Sequence, residues 1–493
     1  MNSLLRPDFD TTLQDFEVPG AAVAVVKDDA IVFAAGYGTR ELGRDLPVNE
    51  HTLFAAGSIS KSFTATALAM LVGEGKLAWD DPVTHYLPGF QLHDAYVTRE
   101  ITIRDLLTHR CGLADVSGGT LWYGSTYDRA EVIRRLRYLK PVSSFRSRFA
   151  YQNVMYLVAG EIIPAASGVS WDEFVRERIL KPLGMTSSNT SVNDLAAALN
   201  VAQPHARIDG KVQRVAYRNY DNVAPAASIN TSAVDLAQYA RLYLKDSHFG
   251  DQALLAPEPA AELVTAQTII PIDPRPPELQ ALTPKFYAYG LGWFLRDYRG
   301  RKLIIHTGGV DGMTALLALV PEEQAGVVVL ANQEEALSGA TCYHMLDVLL
   351  GETDTDWFAA YQAWRQRFLQ EQTALRDKVI ESRRAGTSPS LAPGAYAGTY
   401  GDVLYGEAAV SQEADRLVLR FSHTPSFTGD LEHWHYDTFR IHWRDPMIPP
   451  GLVTFPLTPG AQIDEMKFDQ PKLLDADFAE LNFRRMADQA EAH

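Results

Sequence analysis

Phe54-Ala55-Ala56-Gly57-Ser58-Ile59-Ser60-Lys61 opens a run that continues to Val72, and its pattern is helical. Ile59, Phe63, Ala67 and Leu71 recur at helical spacing before Gly73 and Gly75 stop it. Few residues in the run are charged, so the predicted helix is buried on most sides. Residues i and i+3 share a helical face, which puts the Lys61 amine within reach of the Ser58 hydroxyl. Desolvation at an apolar helix start disfavours the ammonium and moves the amine toward the working range of a base. The same helix start offers backbone N–H groups to an oxyanion. A Ser-x-x-Lys pair arises often by chance, so its meaning rests on its surroundings.

Upstream, Ala21–Val26 and Ala30–Gly36 are short apolar runs separated by Lys27-Asp28-Asp29, the pattern of a β-hairpin. Downstream, residues 80 to 280 read as mainly helical with long polar loops. Ile103–Leu107, Val154–Ala166 and Ser170–Leu180 carry helical periodicity, and Ser232 with Asp235 resembles a capping box. Strands return at Leu291–Leu295, Lys302–His306, Thr314–Val320 and Gly326–Ala331, the last two joined by a turn at Pro321-Glu322-Glu323-Gln324. Strands at both ends around a helical insertion predict an α+β fold: one sheet assembled from distant pieces, carrying an all-α lobe. Asp354 to Arg384 reads as a charged helix, and Ala385–Ser390 as a linker. Alternating runs at Tyr396–Tyr400, Leu417–Phe421 and Thr438–His442 predict a small all-β, barrel-like domain. The expected division is 1–350 for the first domain, 351–392 for the helical linker and 393–493 for the barrel.

A chain of 493 residues is too long for one core, which agrees with that division. Its formal net charge of −16 argues against a nucleic-acid or anionic-membrane partner, since both need basic patches. The 2 cysteines, Cys111 and Cys342, make no disulfide framework and read as packed thiols. Met1-Asn2-Ser3-Leu4-Leu5-Arg6-Pro7 lacks the apolar run of a secretory signal, and no stretch has the length of a membrane span, so a cytoplasmic location is expected. His433 and His435, beside Trp434, fall on one strand face, where aromatic packing is the better reading than a metal site.

Two further motifs give the Ser-x-x-Lys pair its context. Tyr151-Gln152-Asn153 precedes a predicted helix, and His306-Thr307-Gly308-Gly309 ends the apolar strand Leu303-Ile304-Ile305. With these three motifs in this order, the chain resembles the serine β-lactamase and penicillin-binding-protein superfamily. The nearest likeness is to class C β-lactamase-like hydrolases, which include D-amino-acid peptidases and family VIII carboxylesterases. Val18-Pro19-Gly20, Asp80-Asp81-Pro82-Val83, Leu106-Leu107-Thr108-His109, Pro182-Leu183-Gly184-Met185 and Tyr289-Gly290-Leu291-Gly292-Trp293 carry the likeness across residues 15 to 350. Tyr396-x-Gly398-x-Tyr400 and His433-Trp434-x-Tyr436-Asp437-x-Phe439 make the last domain similar to a lipocalin-like one.

The resemblance implies Ser58 as nucleophile, Lys61 as its base and Tyr151 as an assisting acid or base. It implies Asn153, His306 and Gly308 as substrate-binding residues, and the N–H groups of Ser58 and Gly309 as the oxyanion hole. No metal or organic cofactor is required, the partner is a small-molecule or peptide substrate, and homo-oligomers are compatible with it. Many penicillin-recognising relatives carry Lys-Thr-Gly where this chain has His306-Thr307-Gly308. A histidine is largely neutral near pH 7 and suits a substrate carboxylate less well. Cleavage of a peptide, amide or ester is therefore expected ahead of β-lactam hydrolysis. A β-lactamase, or a non-catalytic penicillin- or peptide-binding protein, is the alternative. Two other departures are Cys111, where serine is common, and Ala226-Ala227-Ser228-Ile229, where a glycine pair is usual.

Overall fold

A computed structural model of the chain describes residues 9–245, 247–249, 252–352 and 354–487. The reading made on Met1 to Pro7 lies outside the described residues. The chain forms two compact units. One comprises the residues up to Phe90 with Tyr96–Gly112 and Val142–Phe368; the other comprises Gln91–Ala95, Leu113–Pro141 and the residues from Leu369 on.

The first unit is built on an antiparallel sheet. Its strands are β1 (Gly20–Lys27), β2 (Ala30–Gly38), β3 (Thr268–Ile269), β4 (Tyr287–Tyr289), β5 (Phe294–Tyr298), β6 (Arg301–Val310), β7 (Met313–Val320) and β8 (Ala325–Ala331). Their order, β2-β1-β8-β7-β6-β5-β4-β3, sets the N-terminal hairpin beside the last strand. The hairpin turns tightly because Asp28 and Asp29 both take positive φ, 49° and 62°, the twist that matches two right-handed strands. β8 and most of β7 are buried on both faces, which is why they read as continuous apolar runs.

One sheet face packs on α1 (Phe9–Phe16). Further along the chain, the helices Leu337–Leu350 and Trp357–Glu381 cover the same face with Leu337, Met345, Trp357 and Phe358. Helix Ala233–Leu244 lies against β1, β7 and β8. Ser232 caps that helix by accepting the Asp235 N–H at 3.2 Å. The Asp235 carboxylate does not close a capping box; it accepts the Ser187 and Ser188 N–H groups instead, each at 3.0 Å.

The predicted strand Leu291–Leu295 is displaced. Gly290 to Trp293 forms a loop and the strand begins at Phe294. Gly292 has φ 85°, and a Cβ there would lie 3.0 Å from Ser62 Cα and 3.1 Å from the Lys61 carbonyl, so the loop turns to clear the helix that carries Lys61.

The second unit holds a closed antiparallel barrel of Gly398–Asp402, Gly406–Glu413, Arg416–Phe421, Thr428–His435, Thr438–Trp443, Gly451–Thr454, Glu465–Asp469 and Phe483–Arg485. An eight-stranded barrel has room inside for side chains and little else. Here Phe421 meets Phe427, Phe468, Phe478 and Phe483, with ring centroids 5.3 to 5.7 Å apart. A register shift between His433 and His435 separates those two side chains' partners: His433 bonds the Tyr436 carbonyl and His435 the Arg384 N–H. Among the described residues no single helix is long and apolar enough to cross a membrane.

Leu113–Pro141 belongs to this second unit, although it is flanked on both sides by residues of the first. Tyr123 stacks on Phe427, Tyr127 lies 4.1 Å from the His423 ring, and Arg135 donates to the Leu404 carbonyl at 2.7 Å. Glu480 of the barrel accepts the Ser117 hydroxyl and, at 2.8 Å, the Gly118 N–H.

Candidate active site

The Ser58-to-Lys61 motif begins as a 3₁₀ turn, Gly57–Ile59, that runs into helix Ser60–Gly73. Ser58 is therefore not in an α-helix, yet the three-residue spacing still delivers Lys61 to it. Lys61 Nζ donates to Ser58 Oγ at 2.9 Å, to Asn153 Oδ1 at 2.6 Å and to the Ala226 carbonyl at 3.1 Å. Lys61 is 0 % exposed and Asn153 2 %, whereas Ser58 keeps 8 % of its surface open. The amine is thus shut away from water while the hydroxyl it touches can be approached. The Asn153 Nδ2 donors are buried with no hydrogen-bond partner, so one end of the amide aligns the lysine and the other keeps its donors unspent.

The helix that carries Lys61 is clamped by polar side chains on its own first turns. Ser60 accepts the Ile229 N–H at 3.0 Å and Thr64 donates to the Pro225 carbonyl at 2.7 Å. These bonds hold the Ala226-Ala227-Ser228-Ile229 segment, where the Ala226 carbonyl serves as a lysine acceptor.

Glycines bring β6 against the Gly57–Ile59 turn. A Cβ on Gly308 would sit 1.9 Å from the Ala56 carbonyl oxygen, and one on Gly57 would sit 2.9 Å from the Gly309 nitrogen. Gly57 also has φ 51°, a left-handed conformation that favours glycine. This approach sets the Gly309 backbone beside that of Ser58, the arrangement an oxyanion pocket requires.

Tyr151 reaches the amine face-on, its ring centroid 4.7 Å from Lys61 Nζ. Its position is governed by His109, which the sequence placed only within a family motif. The His109 carbonyl accepts the Ala150 N–H at 2.8 Å and His109 Nδ1 accepts the Gln152 N–H at 2.9 Å, one bond on each side of Tyr151. The two rings lie 4.4 Å apart. Because Nδ1 accepts, the ring proton is on Nε2. Burial first, and then the Lys61 charge, hold His109 well below the usual histidine range. Its backbone is left-handed, with φ 55°. The same stretch is anchored by Asp105, whose buried carboxylate takes Arg146 at 2.6 Å and Arg110 at 2.7 Å.

His306 is turned inward, 1 % exposed, whereas its neighbour Thr307 is exposed. His306 Nδ1 donates to the Thr307 carbonyl at 2.7 Å, so Nε2 accepts the Tyr289 hydroxyl at 3.0 Å. Burial and the Lys61 charge push its pKa down to about 3. The structure thus brings Ser58, Lys61, Asn153 and Tyr151 together with Gly308 and Gly309, and places His306 behind them as a neutral support for Tyr289. His109, Ala226 and Tyr289 complete the site without having been singled out for it by sequence. Cys111 and Cys342 are both buried thiols, and burial pushes Cys342 well above the ordinary thiol range.

Residues 7–346 match the family model described as beta-lactamase, and residues 382–485 match a domain of unknown function, DUF3471. The unguisins hydrolase ungD of Aspergillus violaceofuscus is 31% identical over 377 residues, 71% of this chain and 65% of that protein. This chain therefore spans just under two thirds of that relative's length. Penicillin-binding protein 4 of Amycolatopsis lactamdurans is 30% identical over 350 residues, 70% of this chain and 88% of that one. The structure of the octameric penicillin-binding protein homologue from Pyrococcus abyssi covers 97% of this chain and 98% of its own, with a TM-score of 0.63 at 22% identity.

Proposed function

The chain belongs to the beta-lactamase family, within the β-lactamase and penicillin-binding-protein superfamily of serine hydrolases, and from that premise we propose that Ser58 forms an acyl-enzyme with a peptide, amide or ester substrate. The observation that carries this reading is the contact of Lys61 Nζ with Ser58 Oγ at 2.9 Å, in a pocket that buries the amine and leaves the hydroxyl open.

The chemistry follows from where each group sits. In its neutral form Lys61 gives its two protons to Asn153 Oδ1 and the Ala226 carbonyl, and its lone pair takes the Ser58 proton as Oγ attacks the carbonyl carbon. The carbonyl oxygen, now carrying charge, is met by the N–H groups of Ser58 and Gly309. Tyr151, over the amine, returns a proton to the departing nitrogen or oxygen. Water then attacks the ester on Ser58, the same groups pass its proton back, and the acid product leaves. No step uses a metal.

Asn153 Nδ2 is available to the substrate's carbonyl. His306 is neutral and bonded to Tyr289, so it offers no cation to a β-lactam carboxylate. This favours peptides and amides, D-amino-acid-containing ones included, and esters over penicillins.

The test is a panel of D- and L-aminoacyl anilides, p-nitrophenyl esters and nitrocefin, run on the wild type beside Ser58→Ala. Mass spectrometry after fluorophosphonate treatment locates the adduct. Turnover of an anilide or ester that is lost in Ser58→Ala, with the adduct on Ser58, is expected. Undiminished turnover by Ser58→Ala overturns the proposal, and nitrocefin turnover with the rest of the panel inert reverses the substrate ranking.

A further inference from the structure

β6 sets the two sides of the reacting carbon apart. Tyr151, which returns the proton to the leaving group, stacks on Phe294, and Phe294 is the cross-strand partner of Ile305. The strand then passes Gly308 and Gly309 beside the Ser58 turn. It reaches Val310 about 16 Å from Ile305, at roughly 3.3 Å per residue. The departing half lies toward Ile305, so the acyl half lies toward Val310.

At the Val310 end is a narrow pocket. Val310 shares it with Ala55, in the strand before Ser58, and with Ala227, next to the Ala226 carbonyl that Lys61 holds. It holds about 20 Å³, little more than a water, which admits a thin chain and no bulky group. Its charges are already matched. Arg218 Nε donates to Asp311 Oδ2 at 2.5 Å, and Asp221 accepts the Ser191 hydroxyl at 2.7 Å and the Asn193 amide at 2.8 Å.

Val192 and Tyr217 line this pocket on one side and a second, larger recess on the other. Both keep part of their surface exposed, so they form a ridge between the two and not a closed wall. Tyr217 is fixed there by its hydroxyl, which donates to the Ala202 carbonyl at 2.5 Å. The recess holds about 410 Å³, within the range of small-molecule sites, and Leu46, Leu195, Leu199 and Val201 give it an apolar lining. Leu199 is 96 % exposed, a large apolar side chain left to water. The charged residues at the edge are engaged: Arg40 donates to the Leu199 carbonyl at 2.7 Å, and Glu41 takes Arg44 and Arg214 at 3.1 and 3.3 Å.

We propose that this recess binds an unbranched apolar chain on the acyl half of the substrate, reached from Ser58 through the narrow pocket and over Val192 and Tyr217. The inference deepens the reading of Ser58 as nucleophile and rests on it. A chain long enough to cross the ridge exchanges water for Leu46, Leu195, Leu199 and Val201, and each methylene that does so tightens binding. A short acyl group stops in the narrow pocket and gains none of this. The substrate class narrows to amides or esters whose acyl group carries a medium or long apolar chain.

p-Nitrophenyl butyrate and octanoate, alike at the reacting carbonyl and different in chain length, are the probes. On the full-length protein kcat/KM for octanoate is expected to exceed that for butyrate at least tenfold. Val192→Trp raises the ridge, and Leu46→Ser combined with Leu199→Ser strips the apolar lining. Each change brings the two esters within about twofold, the loss falling on octanoate. Equal kcat/KM for the two esters in the wild type, or an octanoate preference unchanged in both variants, overturns the recess. Methyl octyl ketone and methyl propyl ketone, which carry the carbonyl and no leaving group, separate this inference from the one beneath it by calorimetric titration. If Ser58 takes no fluorophosphonate, the nucleophile reading falls, while tighter binding of the longer ketone that is lost in both variants still upholds the recess. Equal binding of the two ketones, or a preference that persists in both variants, overturns it.

Discussion

The ring of His109 holds the Gln152 backbone N–H at 2.9 Å, and the residue between this bond and the Ala150–His109 bond is Tyr151. A side chain that never needs to touch substrate therefore decides where the tyrosine hydroxyl is presented. Its neutral form is essential, since a proton on Nδ1 replaces the acceptor with a donor.

His109→Ala is expected to lower kcat about 100-fold with KM changed less than threefold, the cost of a displaced catalytic group. His109→Asn, which supplies an acceptor near the Nδ1 position and tolerates a left-handed backbone, recovers at least tenfold of that loss. Steady-state kinetics on one ester substrate checks both; equal kcat for the two variants removes His109 from this role.

Asn153 spends its amide oxygen on Lys61 and leaves its Nδ2 donors unpaired. Asn153→Ala leaves Lys61 unaligned and removes the Nδ2 donors, so kcat/KM falls about 100-fold or more while the fold persists. Asn153→Asp puts a carboxylate beside the Lys61 ammonium and holds the proton there, so its kcat stays low across the neutral range. A pH–rate profile distinguishes the two variants.

Gly308 admits no side chain. Gly308→Ala drives a methyl into the Ala56 carbonyl, costing about 1–3 kcal/mol and separating β6 from the nucleophile turn. Ser58 labelling slows correspondingly. Gly89, around which a Cβ meets nothing within 4 Å, is the control, and Gly89→Ala shifts stability by no more than about 0.5 kcal/mol.

His306 makes the fold acid-sensitive. Its pKa is near 3 in the folded chain and near 6.5 in an exposed histidine, so the unfolded chain binds the extra proton between those values. Stability is fully present above pH 6.5 and drains away as pH falls toward 3, with a ceiling on the order of 5 kcal/mol. His306→Gln keeps an acceptor for Tyr289 and has no proton to take up, so its acid-unfolding midpoint moves to lower pH. Circular dichroism along a pH titration measures it.

Glu480 has the opposite sense. Burial raises its pKa above the ordinary glutamate value, despite the bonds from Ser117 and Gly118. Ionising it in the folded state costs stability that is absent at low pH and appears as pH rises past 4.5. Glu480→Gln is expected to leave the unit as stable or more stable near pH 7, and to match the wild type near pH 4. Thermal melts at the two values test the sign.

Much of this was legible before any coordinates. The Ser58–Lys61 contact follows from the i, i+3 rule even though the turn is 3₁₀, because both helix types bring those positions onto one side. The hairpin at Asp28-Asp29 and the apolar runs of β7 and β8 come from local turn chemistry and burial on two faces. The strand expected at Leu291 started late, since its glycine answers to the nucleophile helix and not to its own neighbours. His109 carried no local signal for its role, which exists only once Gln152 is folded against it.

Leu113–Pro141 leaves the first unit at Gly112 and re-enters it at Val142, where the Gly112 carbonyl accepts the Val142 and Ser143 N–H groups. Between these points Trp122, Tyr123 and Tyr127 are buried in the company of the barrel. Cutting the gene at the linker before Pro393 would therefore strand a greasy loop with nothing to cover it. A chain shortened there is expected to keep Trp122, Tyr123 and Tyr127 without the side chains that bury them.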